Sequence, residues 1–218
     1  MGSSGEAWNK EKEDVMGNRG RFGKYGDIKR VAKLRDARKR PFSSLRPKES
    51  NAKERVLSQR KLHKIRGIEV RPGHNEDAEF VRALSERAFE KYGDYGDVIA
   101  KWLESGVGEA VVGLREGRAC GFAMIGTTAE LGALPGRFEL LAIGVVESER
   151  RKGIASRLLK EVLALARTRG AKELLLHTGS DNTAAIRLFQ KAGFEVIGVK
   201  KGFYPRGQDA IVMRIEIL

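Results

Sequence analysis

The feature that most constrains this chain is residues 137–146, where Phe138, Leu140, Leu141, Ala142, Ile143, Val145 and Val146 enclose a single acid, Glu139. A strand apolar on both faces is one buried on both sides, the habit of sheets covered by helices above and below. It runs through a basic, Gly-containing stretch, Arg150-Arg151-Lys152-Gly153, into residues 153–168, where Ile154, Leu158, Val162 and Ala166 recur at helical spacing. Strand, turn and helix follow one another without a linker.

Around this unit the texture alternates. Residues 68–71 read as a strand, 75–91 as a helix with Ala78, Val81, Leu84 and Ala88 on one stripe, and 98–104 as a second, short helix. Residues 109–115 and 119–127 read as strands joined by a tight turn at Glu116-Gly117. After the central helix come a strand at 174–177, a helix at 182–191 and strands at 195–199 and 210–217. The order β-α-α-β-β-β-α-β-α-β-β predicts an α/β fold, a mixed central β-sheet flanked by helices.

The formal charge of +13 is unevenly placed: residues 1–66 hold 20 Lys and Arg against 8 Asp and Glu, and the remainder holds 22 against 21. The basicity belongs to an N-terminal extension whose sparse apolar residues cannot offset chain entropy alone. It reads as an arm, 1–66, flexible or partly helical over 27–40, followed by a domain at 67–218. Lys and Arg with interspersed Gly and aromatics suit phosphate contacts with RNA or a ribosome, and equally a solvated tail.

Cys120 is the only cysteine, which excludes an intramolecular disulfide and a zinc site built from several thiolates. It lies in an apolar strand and reads as a small core residue. No apolar run reaches the ~18 residues that span a bilayer, and no secretory signal pattern opens the chain. A soluble, cytoplasmic protein without membrane partner or metal is expected.

The turn at 150–156 carries the first chemistry. Backbone N–H groups at a helix N-terminus, with Gly153 and Ala155 permitting close approach and Arg151 and Lys152 adding charge, make a pyrophosphate site. An ordinary strand-to-helix loop has the same spacing. Three ordered motifs decide between them. Arg150-x-x-Gly153-x-Ala155 resembles the acetyl-CoA motif of the GNAT superfamily, and Ser180-Asp181-Asn182-Thr183-Ala184-Ala185-Ile186 with Leu188-Phe189 and Ala192-Gly193-Phe194 resembles its Asn-x-x-Ala-Ile-x-Leu-Tyr segment. Phe203-Tyr204-Pro205-Arg206-Gly207-Gln208-Asp209-Ala210 resembles the ending of ribosomal-protein alanine N-acetyltransferases and their N-terminal acetyltransferase relatives.

The resemblance implies acetyl-CoA as cosubstrate. Backbone groups at Ile143, Gly144 and Val145 would pair with its pantetheine arm. The turn of Arg150, Arg151, Lys152, Gly153, Ile154, Ala155 and Ser156 would cradle its pyrophosphate, and Asn182 would touch it while also suiting a helix N-cap. The implied acceptor is a primary amine, above all the α-amine of a protein N-terminus. A small amine or a lysine is the nearest enzymatic alternative, and an RNA- or ribosome-associated protein with a weakly active core is the other.

An α-amine of pKa ~7.7 to 8.0 needs only a modest base. Glu139 stands fourteen residues before Gly153, where the histone acetyltransferase branch places its base. His177 ends Leu174-Leu175-Leu176-His177, where some N-terminal acetyltransferases carry a base histidine, and an imidazole's ordinary pKa of about 6.5 suits the task. Neighbouring strands would hold the two around one water. A buried ion pair and a structural histidine are the plainer readings. Phe189 replaces the tyrosine expected to protonate the leaving thiolate, and Phe cannot donate a proton; water or another group does it, with Tyr204 one candidate beside its place in the substrate wall, or the thiolate leaves unassisted. Tyr92, Tyr95, Phe203 and Tyr204 are expected to wall the acceptor pocket, together with the acids of the 89–97 segment.

Overall fold

The computed structural model describes residues 67–127 and 135–217. The basic arm and its expected helix at 27–40 lie outside them. Within them the element order is the expected one: β1 (Ile68–Pro72), α1 (Ala78–Phe89), α2 (Gly96–Glu104), β2 (Gly108–Arg115), β3 (Arg118–Gly126), β4 (Arg137–Val145), α3 (Ile154–Thr168), β5 (Glu173–Gly179), α4 (Thr183–Lys191), β6 (Glu195–Lys200) and β7 (Ala210–Glu216). The seven strands lie in the order β1-β2-β3-β4-β5-β7-β6. Only β4 and β5 run parallel, because α3 carries the chain back between them.

The helix expected over 75–91 is shorter. Residues Asn75–Asp77 form a single 3-10 turn, since the Asp77 carboxylate is engaged by the Arg71 guanidinium at 2.7 and 2.8 Å and by the His74 amide at 2.8 Å. At the other end the amides of Tyr92 and Gly93 both reach back to the Phe89 carbonyl, which closes α1.

The sheet separates two cores. On one face α3 seats Ile154, Leu158, Leu159, Val162 and Ala166, all buried, against Phe138, Leu140, Leu174 and Leu176. Each large side chain so buried contributes roughly 1.5–3 kcal/mol. On the other face α1 and α2 bring Val81, Leu84, Ile99 and Leu103 against Val112, Phe122, Met124 and Ala142. Strict alternation would put Ala142 on the same face as Phe138 and Leu140. It does not lie there, because the β3–β4 ladder passes from Ile125–Leu140 to Met124–Ala142 and leaves Leu141 over as a bulge. Leu141 and Ala142 both join the α1/α2 core.

Candidate functional site

The bulge decides where the sheet opens. β4 and β5 pair from Arg137–Glu173 as far as Leu140–Leu176, and the pairing ends there. Bulges bend the strand that carries them, and past this point the two strands line opposite walls of one pocket. Leu141, Ala142 and Ile143 stand on one side, and His177, Thr178 and Gly179 on the other. Asn182, Ala185 and Phe189 close one end. Of the strand residues expected to face the cosubstrate, Ile143 lines this pocket. The Cα of Gly144 looks toward Leu84 and Phe122, and Val145 packs in the α3 core while its carbonyl accepts from Arg150 Nε at 3.3 Å.

The expected pyrophosphate turn is built from backbone. Arg151 and Gly153 hold φ of 64° and 85°, the left-handed region, and α3 starts at Ile154 with no side-chain cap and no acid in its first turn. The amides of Ile154, Ala155 and Ser156 therefore keep the donor capacity of an open helix start. A Cβ placed on Gly153 would meet nothing within 4 Å, so the approach is clear. The cationic rim is weaker than the sequence suggests. Lys152 Nζ stands 3.2 Å from Glu149, which also takes Arg115 at 3.2 Å, and Arg150 lies 3.9 Å from Glu147. Arg151 is exposed, with no ion pair among the described residues. Asn182 caps α4, its Oδ1 accepting the Ala185 amide at 3.2 Å.

The two expected bases converge. Leu174 and Leu176 face α3, so alternation sends His177 to the opposite face, and Glu139, between Phe138 and Leu140, goes with it. His177 Nδ1 lies 2.7 Å from Glu139 Oε1, with the two side chains 6% and 4% exposed. The bond between them is direct. With the carboxylate accepting the Nδ1 proton, the ring is set in the tautomer whose Nε2 is an acceptor. That Nε2 is buried and has no hydrogen-bond partner among the described residues. Phe203 stacks on the imidazole, centroids 4.5 Å apart and planes 14° from parallel. In the neutral form of this ring, the unused Nε2 lone pair lies in the pocket wall.

Aromatic rings from the end of α1 and from the α1–α2 and β6–β7 loops complete the enclosure. Tyr92 lies 4.6 Å from Tyr204, and Phe89 meets Tyr95 edge-on at 6.2 Å. Tyr92 crosses Gly179 so closely that a Cβ there would overlap its ring. Its hydroxyl donates to Asp181 at 2.9 Å, and the Lys91 ammonium takes the second oxygen of that carboxylate, holding it below the usual range. Burial pushes the Tyr92 and Tyr95 phenols up to about 12, and Tyr204 higher still. All three stay protonated near neutrality, which suits them to donate rather than to act as bases. The acids of the 89–97 segment do not join them: Glu90 and Asp94 are exposed, and Asp97 pairs with Arg82. Phe189 is buried against Phe194 at 5.7 Å.

Sequence reasoning missed Ile99, Trp102 and Leu141 in the pocket wall, all of which read as ordinary core by spacing. It also missed Asp181, visible only as part of a motif. Cys120 is the core residue expected, its thiol donating to the Gly113 carbonyl at 3.3 Å and pushed up by burial. Among the described residues no cluster of His, Cys, Asp and Glu could hold a metal, and no helix is long and apolar enough to cross a membrane.

The profile of the Acetyltransferase (GNAT) family matches residues 77–194. An N-alpha-acetyltransferase of Saccharolobus solfataricus is 35% identical over 85 residues, 38% of this chain and 51% of the relative. The [ribosomal protein bS18]-alanine N-acetyltransferase of Salmonella typhimurium is 33% identical over 81 residues, 36% of this chain and 55% of the relative. These matches span about half of each curated relative. Among solved structures, a ribosomal-protein-alanine N-acetyltransferase from Brucella melitensis superposes with a TM-score of 0.60 at 25% identity, covering 67% of this chain and 98% of that one.

Proposed function

We propose, from the premise that this chain belongs to the Acetyltransferase (GNAT) family, that it transfers an acetyl group from acetyl-CoA to the α-amine of a protein N-terminus. The observation that carries the reading is the buried Glu139–His177 pair with a partnerless Nε2 in the wall of the β4–β5 opening. The relatives that act on N-terminal amines favour the same acceptor.

The residues present fit the cosubstrate. The uncapped start of α3, open above Gly153, and the β4 edge past Leu140 offer backbone groups where a pyrophosphate and an amide-bearing arm need them. Arg151 adds charge. Bound acetyl-CoA supplies the acetyl group as a thioester whose sulfur departs as thiolate. Glu139 holds His177 by Nδ1, and Nε2 takes the proton from the incoming ammonium. The freed lone pair forms the C–N bond as the C–S bond breaks. The second proton of the amine nitrogen passes by way of the buried Tyr204 hydroxyl to the departing thiolate, a transfer in which Phe189 can take no part.

Thiol release by the full chain with acetyl-CoA tests the reading against two peptides, one with a free N-terminus and no lysine, one N-blocked with an internal lysine. Consumption of the first alone supports it; consumption of the second, or of polyamines in preference to both, overturns it. The concentration of 20 basic residues in positions 1–66 favours a second partner, RNA or a ribosomal surface. Retention of that segment on RNA should weaken steeply with added salt.

A further inference from the structure

We infer that the acceptor enters with a large, uncharged, apolar first side chain, seated between α1, α2 and the bulge of β4. This rests on the N-terminal acetyltransferase reading above and narrows it. On the α1/α2 side of the sheet the pocket is walled by Phe89, Tyr95, Ile99, Trp102 and Leu141. Among the described Asp, Glu, Lys and Arg residues, only Glu139 lines any part of the pocket, and its carboxylate is committed to His177.

Nearby charges are turned elsewhere. Asp97 is held by Arg82, while Asp181 is held by Lys91 and Tyr92. Among the described residues, a lysine or arginine first residue finds no free carboxylate in the pocket lining to receive its cation, and an aspartate or glutamate finds no cation. Each would leave an unpaired charge out of water, which costs far more than burial of the aliphatic stem returns. An alanine enters without penalty but leaves the ring-lined space unfilled, and unfilled apolar volume is lost binding. Leucine, methionine and phenylalanine fill it. A proton-accepting Nε2 beside an apolar chamber suits an amine whose own side chain is neutral.

The test is a competition of otherwise identical peptides beginning with Leu, Met, Phe, Ala, Asp or Lys, read as kcat/KM for thiol release by the full chain. Leu-, Met- and Phe-first peptides should exceed Ala-first by at least ~10-fold and Asp- and Lys-first by on the order of 100-fold. Ala-, Asp- or Lys-first turnover equal to or above Leu-first overturns the inference and leaves the acetyltransferase reading standing. No turnover of any peptide, with turnover of a small amine, overturns both. In Trp102→Ala the Leu-to-Ala ratio should fall several-fold through KM. That ratio is internal to one preparation, so a partly unfolded variant still answers, and an unchanged ratio removes Trp102 and this chamber from specificity.

Discussion

The turn at 150–156 and the pair at Glu139 and His177 are the two halves of the proposed site, and they are built in opposite ways. The turn is one contiguous segment whose useful groups are amides, set by two left-handed residues and a helix start. The pair is made of side chains 38 positions apart, brought to 2.7 Å by strand parity and a parallel crossover. A site made of backbone tolerates changes of side chain wherever the dihedral allows. A site made of two buried polar side chains tolerates almost none, because, among the described residues, each is the only side-chain hydrogen-bond partner of the other.

The sharpest way to break this contrast is to remove the imidazole. His177→Ala should lower kcat/KM by ~10²–10⁴, Glu139→Gln should lower it less, and the double variant should match His177→Ala, since groups acting in series are not additive. The rising acid limb of the pH profile should move toward the α-amine's own pKa of ~7.7 to 8.0. Loss in the double variant equal to the product of the singles would mean two independent roles.

Next in size, Gly153→Val should weaken CoA binding by ~10-fold or more, as its side chain fills the approach, while the left-handed φ adds only ~1–2 kcal/mol to the folding cost. Arg151→Ala should weaken it by only a few-fold, in a salt-sensitive way. Wild-type CoA affinity in Gly153→Val, measured by calorimetry, would show that the turn is not where the pyrophosphate sits.

A smaller gain is expected from Phe189→Tyr. The ring is buried in the pocket end, and a hydroxyl there should raise turnover with cosubstrate affinity unchanged. Lower turnover with an unaltered Tm would identify Phe189 as a packing requirement. Smallest is an alkaline effect. Tyr92 and Tyr95 titrate at about 12 folded against an ordinary 10.0, so the unfolded chain sheds those protons first and stability falls as pH rises from 10.0 to about 12. Tyr92→Phe should flatten that fall in Tm, and an equally steep fall would assign it to other groups.

These two halves also differ in how far they could be read from the sequence. Gly153, Arg150 and Asn182 announce themselves because a local motif records a local backbone shape. Glu139 and His177 were each recognisable by position, yet their direct bond was not, because it depends on β4 and β5 being neighbours and on which face each residue takes. Trp102 and Ile99 were hidden for a different reason: a wall of a pocket and a wall of a core have the same helical spacing. The acids at 90, 94 and 97 misled, since proximity in sequence to Tyr92 and Tyr95 says nothing about which way a helix start turns them.

One consequence of the bulge concerns length rather than chemistry. Because Leu141 and Ala142 share a face, β4 is one residue longer than its packing demands. Deleting Leu141 would leave each remaining side chain of the strand on the face it occupies now, from Phe138 to Val145, and would remove only the bend. Loss of Ala142, which shares that face, would leave the same alternation. Fold and opening are therefore separable at a single position: a chain without Leu141 keeps its two cores and lets β4 run on beside β5, a complete scaffold with its doorway shut.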